Sequence, residues 1–143
     1  DIMAENKKIA GILIENSFKS QQEIQTIIGV GINVNQVYFE NLPQASSLFI
    51  LENKIFDKEE LLSDIINNLK NNLDDVKTLG EDIFWNKYHD LLFKKDKVSA
   101  FEDKFGNKFV GKIIGVNKEG KLKVELENEI ITFFDLKDIK LLY

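Results

Sequence analysis

The chain has 143 residues, 43% of them hydrophobic and 30% charged, with a formal net charge of −5. That is the composition of a folded chain with a real core, and the acidic balance argues against a broad phosphate-binding surface. The absence of cysteine excludes disulfides, zinc–thiolate sites and thiol nucleophiles, and no apolar run approaches the ~20 residues a membrane-spanning helix needs.

The first elements are strands. Residues 8–15 and 24–34 are rich in β-branched types and bounded by polar turns at Asn6-Lys7 and at residues 17–21. Both runs are apolar at nearly every position, which predicts strands covered on both faces. Residues 35–56 read as irregular around Pro43, the one proline, with a turn at Ala45-Ser46-Ser47-Leu48. Asp57-Lys-Glu-Glu60 has the form of a capping box. Leu62, Ile65, Ile66, Leu69, Leu73 and Val76 then recur at helical spacing, predicting an amphipathic helix over 58–77. Gly80 interrupts the pattern, and a shorter helix is expected over 81–93.

A change of pattern falls at Lys94-Lys95-Asp96-Lys97, dividing the chain into domains 1–95 and 96–143. Residues 1–96 carry ten lysines against sixteen acids and residues 97–143 nine against eight; all 19 basic residues are lysine, and none is arginine. Beyond the boundary the period becomes alternating, with strands expected at 97–102, 108–116, 121–126, 129–134 and 138–142. Turns are expected at Phe105-Gly-Asn107, Lys118-Glu-Gly120 and Glu127-Asn128. Five short strands in so few residues predict a small closed barrel of the SH3-like kind.

Several residues stand out because a core does not ask for them. Lys8 opens a strand of otherwise buried types, so its ammonium is placed at the edge of a dry pocket, where a charge acts far more strongly than in water. The competing reading is a surface lysine snorkelling to solvent beside Lys7. Gly11 offers its backbone at close range, or else marks a bulge. In the second strand, alternation puts Gly29, Gly31, Asn33 and Asn35 on one face and Ile28, Val30, Ile32 and Val34 on the other. The β-branched face is expected to pack into the core. The glycine face leaves room for a flat ligand and ends in an amide able to pair with a base or sugar edge. His89, the one histidine, and Trp85 and Phe84 read as structural residues.

Lys8 through Leu13 (Lys-Ile-Ala-Gly-Ile-Leu) and Gly29 through Asn33 (Gly-Val-Gly-Ile-Asn) resemble, in order and spacing, the second half of the catalytic domain of biotin–protein ligases. Gly111-x-x-x-Gly115-Val-x-x-x-Gly120 and Asp138-Ile-Lys-Leu-Leu loosely resemble that family's C-terminal domain. The resemblance implies an α+β chain, a partial mixed-sheet biotin/lipoate ligase-like catalytic domain followed by a small all-β SH3-like barrel. It implies a cytoplasmic, ATP-dependent enzyme that forms biotinyl-5′-AMP with Mg²⁺ and transfers biotin to a lysine of biotin carboxyl carrier protein. In that family the strand lysine is catalytic, which puts Lys8 in the role. A Trp-Pro-Asn-Asp segment places an aspartate seven positions earlier, where Asp1 stands, as a base or orienting group for the acceptor amine. Biotin or adenylate contacts fall on Lys8, Gly11, Ile12, Gly29, Gly31 and Asn33, with no protein-held metal. The family's Gly-Arg-Gly-Arg loop has no counterpart here, so the expectation is a C-terminal piece, inactive alone, with nothing in it that supports DNA binding. Two rivals remain. A lipoate–protein ligase commonly has a polar Ala-Gln-type strand where this chain has the apolar Ala10-Gly-Ile-Leu-Ile-Glu15. A non-catalytic interaction module would leave Lys8 in a salt bridge on an outer surface.

Overall fold

A computed structural model describes residues 1–18 and 24–143. Of the turn expected at 17–21, Ser17 and Phe18 belong to a strand and 19–21 lie outside the described residues. The chain forms two compact units, Asp1–Asn68 and Leu69–Tyr143.

The first unit is built on an antiparallel sheet of β1 (Ile2–Ala4), β2 (Lys7–Phe18) and β3 (Ile24–Ile32), in that order. β1 went unforeseen. It turns into β2 through Glu5 and Asn6, both at positive φ (47° and 62°), the geometry that tight two-residue hairpins favour. Opposite Lys8 stands Met3, but opposite Ala10 stands Ile2, so Ile9 is an extra residue and β2 carries a bulge. β2 and β3 then run in unbroken register, with Ala10 facing Ile32, Gly11 facing Gly31 and Leu13 facing Gly29.

The sheet corrects one expectation. Only the end of the β2–β3 ladder near Ala10 is packed: Ala10 is buried, as is Val34 just beyond β3. Ile12, Ile14, Ile28 and Val30, on the β-branched face, and Leu13 and Ile27, on the other, are exposed. The apolar runs do specify burial on both sides, but no described element of this unit covers them. Each of these half-exposed aliphatic side chains forgoes roughly half of the ~1.5–3 kcal/mol that full burial contributes.

Residues after β3 are less irregular than their sequence suggests. A short helix, α1 (Leu48–Glu52), starts at Ser47, whose hydroxyl accepts from the Ile50 N–H at 3.2 Å and donates to the Gln36 carbonyl. It ends at Asn53 in the left-handed region. Asn35 exchanges two hydrogen bonds with the Phe56 backbone, at 2.8 and 3.0 Å. Asp57 then caps α2 (Lys58–Leu79), accepting from the amides of Glu59 and Glu60.

In the second unit, α3 (Glu81–Asp90) is followed by β4 (Val98–Asp103), β5 (Lys108–Val116), β6 (Leu122–Glu125), β7 (Ile131–Phe134) and β8 (Ile139–Leu142). The five strands make one antiparallel sheet in the order β7-β6-β5-β4-β8. Its core is Phe101, Ile113 and Val124, with Phe109, Phe134, Ile139 and Leu141 packed around it. Phe109 stacks with both Phe101 and Phe134, at ring distances of 5.5 and 5.8 Å. The expected barrel is therefore SH3-like, but β7 and β8 remain the two edges of the sheet, which curls so that both pack on one core. Turns fall where glycine permits positive φ, at Gly106 and Gly120.

α3 belongs to this unit because His89 ties it to β5. Nδ1 lies 2.9 Å from the Trp85 carbonyl, and Nε2 accepts from the Val116 N–H at 3.1 Å. Glycine at residue 115 gives the ring room: a Cβ there would meet the imidazole at 3.0 Å, and the ring would have to give way by a few tenths of an ångström. Lys118 sits over the Trp85 ring at 4.5 Å, extending the same joint.

Candidate functional site

Strict alternation would place Lys8 with Ala10 and Ile12, on the opposite face from Gly11. The bulge at Ile9 resets that alternation, and re-aiming a side chain is a common use of bulges. The result is geometric: a Cβ built on Gly11 would lie 3.6 Å from Lys8 Cε and Nζ and 3.7 Å from Asp1 Oδ1. Lys8 Nζ meets Asp1 Oδ1 at 2.7 Å, because the β1–β2 hairpin carries the aspartate back alongside the lysine. Gly11 in turn faces Gly31 across the ladder, and a Cβ on Gly31 would meet nothing within 4 Å. A cation and a carboxylate thus stand at one end of a strip of bare backbone two residues wide.

The structure brings together Asp1, Lys8, Gly11 and Gly31, and Gly29 continues the strip opposite Leu13. Ile12 is not among them; it pairs with Val30 on the other face. Asn33 lies beyond the end of β3, and its amide donates inward to the Ser46 carbonyl at 2.9 Å instead of continuing the glycine face. Sequence reading missed residues 43–46. Lys7 donates to the Pro43 carbonyl, and Lys8 bridges to Ala45 in a parallel sense.

The dry surroundings expected for Lys8 are not built by the described residues. Its side chain is 44% exposed and that of Asp1 51%, so as it stands the pair contributes about 0–1 kcal/mol to stability. Two grooves on the five-stranded sheet, of about 560 and 230 Å³, contain none of the candidate site residues; they are lined around Val110 and Leu126.

Solved structures with the same fold give this geometry a context. The chain is similar to the apo structure of biotin protein ligase from Aquifex aeolicus, with a TM-score of 0.72 and 24% identity over 96% of this chain and 60% of that one. It is similar to the same protein in complex with biotin and ATP, with a TM-score of 0.71 and 24% identity over 96% of this chain and 57% of that one. No protein-family model and no curated protein matches the sequence. The chain has an α+β fold, that of the C-terminal region of a biotin protein ligase. It spans about 60% of the length of the structures it matches.

Proposed function

We propose that this chain is part of a biotin–protein ligase, which joins biotin to ATP as biotinyl-5′-AMP and passes the biotin to a lysine of a biotin carboxyl carrier protein. The supporting observation is the Lys8–Asp1 pair beside the facing glycines 11 and 31, on a fold shared with a biotin protein ligase.

The chemistry explains the need for those groups. The biotin carboxylate attacks the α-phosphorus of ATP; a carboxyl O–P bond forms, the α–β bridging bond breaks, and pyrophosphate leaves. Both reactants are anions. A fixed ammonium at Lys8 offsets their repulsion and the charge that builds up at the α-phosphate. Asp1 holds that ammonium in place. In the second step the neutral amine of the acceptor lysine attacks the acyl carbon and AMP departs, with Asp1 as the carboxylate that orients the amine or takes its proton. The bare backbone of Gly11 and Gly31 lets a flat ligand lie against the strands. Among the described residues no group of three or more His, Cys, Asp or Glu is placed to hold a metal. Mg²⁺ in this proposal arrives on the ATP phosphates, as that ion commonly does. In this reading an element covering the exposed apolar faces of β2 and β3 would supply the dry surroundings that Lys8 needs.

One observation favours a second reading. Lys8 in a half-exposed ion pair also suits a non-catalytic interaction module. Mass spectrometry for biotinyl-5′-AMP after incubating the full-length protein with biotin, ATP and Mg²⁺ separates the two, and lipoate in place of biotin separates the related ligase. Adenylate formed from biotin, and carrier protein then labelled, is the expected result. Adenylate from lipoate alone, or from neither acid, contradicts the proposal.

A further inference from the structure

Strand β5 outruns one of its neighbours. Its first residues, Lys108 to Gly111, pair with β4 on one side, but on the other β6 joins only from Lys112, opposite Glu125. The β4–β5 turn decides which backbone groups this leaves open. There the Asp103 N–H donates to the Asn107 carbonyl at 2.9 Å, and hydrogen-bonded pairs alternate along an antiparallel ladder. Phe109 and Gly111 therefore bond to Phe101 and Ser99, their partners in the register, while the N–H and C=O groups of Lys108 and Val110 point away from β4. They point to where β6 would run if it continued. Instead the chain turns back at Leu126, whose N–H donates to the Ile130 carbonyl at 2.7 Å. Among the described residues, no backbone hydrogen bond outside the ladders reaches Lys108 or Val110.

The groove of about 560 Å³ lies along this open stretch, lined by Lys108, Phe109 and Val110 of β5 and by Leu126, Glu127 and Ile130 of the turn. Val110 and Ile130 are exposed in it. Apolar surface alone does not say what belongs there, but main-chain donors and acceptors two residues apart do. They match an extended backbone, whose side chains alternate to either side of it. The ends of the groove differ in charge. Lys108 lines this groove alone, whereas Glu127 also lines the smaller one, toward Lys112, and no ion pair among the described residues uses Lys108 or Glu127. We propose that the open edge of β5 from Lys108 to Val110 is a docking site for an extended segment of another polypeptide. That segment adds a short strand in the groove, with aliphatic side chains on Val110 and Ile130, an acidic residue near Lys108 and a basic one near Glu127. The adenylation reading is not needed for this.

The test is amide hydrogen exchange on the full-length protein, with the capped peptide acetyl-Asp-Val-Thr-Val-Lys-amide as the probe. Without peptide, the Lys108 and Val110 amides should exchange fast while those of Phe109 and Gly111 are protected. Peptide at about ten times its dissociation constant should slow Lys108 and Val110 about tenfold. Protection of Lys108 and Val110 before peptide is added overturns the proposal, since another part of the chain or a second copy then holds the edge. So does exchange that peptide leaves unchanged. Two N-methylated probes separate backbone pairing from apolar contact, one blocked at both valines and the other at threonine and lysine. In a strand, alternate N–H groups face the partner, so one probe should lose affinity by about tenfold for each hydrogen bond removed and the other should keep it. Equal binding of both probes, or equal loss by both, overturns strand addition. Lys108→Glu, an exposed position, should weaken the unmodified probe several-fold and be rescued by a probe with lysine in place of its aspartate; unchanged binding of the unmodified probe overturns the placing of the acidic residue.

Discussion

Replacing Gly31 by valine separates what the glycine strip does for the fold from what it does for a ligand. A Cβ at this position meets no atom within 4 Å, so the side chain enters open space. Removing a glycine's freedom from the unfolded chain is worth about 0.4–1 kcal/mol, and valine suits a strand on a scale that spans ~1 kcal/mol. The expected stability is unchanged or up to about 1 kcal/mol higher. The ligand meets the opposite effect. Directly opposed Cβ positions in an antiparallel pair lie roughly 4.5–5.5 Å apart, and the one on Gly11 would sit 3.6 Å from Lys8 Nζ. Valine methyls at residue 31 therefore project from the same face of the sheet as Gly11 and the cation beside it, on the surface where the reacting groups must lie. A misplacement of about 1 Å can cost on the order of 10²-fold in rate, so a loss of at least that size is expected in biotin-dependent pyrophosphate release. The melting temperature is measured on the same sample. Ala10→Asp is the control: residue 10 is buried on the opposite face, and an unpaired carboxylate there should unfold the unit at a cost of several kcal/mol. A Gly31→Val protein with full activity refutes the two-faced reading of these strands, as does one that has simply unfolded.

In the second unit, Gly111→Ala should cost about 1–3 kcal/mol by overpacking, because its Cβ would meet Val124 Cγ1 at 2.6 Å in the core; a denaturant midpoint equal to that of the wild type contradicts the packing. His89→Ala should loosen α3 from β5, with faster amide exchange at Val116, whose N–H loses its acceptor. The Asp103 carboxyl is held below its ordinary value, chiefly by the side-chain amide of Asn107 and also by backbone N–H groups, and that of Asp138 chiefly by the Asp135 N–H and then by Lys104. With the folded values lowered, the stability these groups contribute is whole above the unfolded value of ~3.9 and is lost as pH falls through the folded one. Denaturation followed across that acid range should show the loss, and Asp103→Asn should flatten it; an equally steep acid limb in the variant contradicts the assignment.

The long helix, the shorter one and all five strands of the second unit were legible because periodicity is a local signal, and Asp57 caps where its spacing to Glu60 placed it. What escaped depends on partners distant in sequence. β1 is only three residues long, and the bulge at Ile9 comes from pairing with it, so alternation alone puts Lys8 on the wrong face relative to Gly11. Asn33 and Asn35 were read as the end of a ligand face, yet both amides turn to loop backbone, at Ser46 and Phe56. Side-chain alternation holds only while the strand lasts, and β3 stops at Ile32. Ser47 before Leu48-Phe-Ile-Leu51 was the visible trace of α1, a serine cap ahead of an apolar run. The burial expected for β2 and β3 was read from real apolar runs, but burial also needs a covering element, which the runs themselves do not supply.

The most direct measurement is biotin-dependent pyrophosphate release from ATP by the full-length protein, wild type against Lys8→Ala and Lys8→Arg. Loss of one positioned charge should lower the rate by about 10²–10³-fold, by analogy with removal of an oxyanion donor. Arginine should not restore it, since a planar fork does not replace a compact ammonium. The melting temperature should scarcely move, as an ion pair this exposed contributes little to stability. Wild-type turnover in Lys8→Ala, or a rate loss matched by unfolding, would show that Lys8 is a surface lysine and that the catalytic centre is not here.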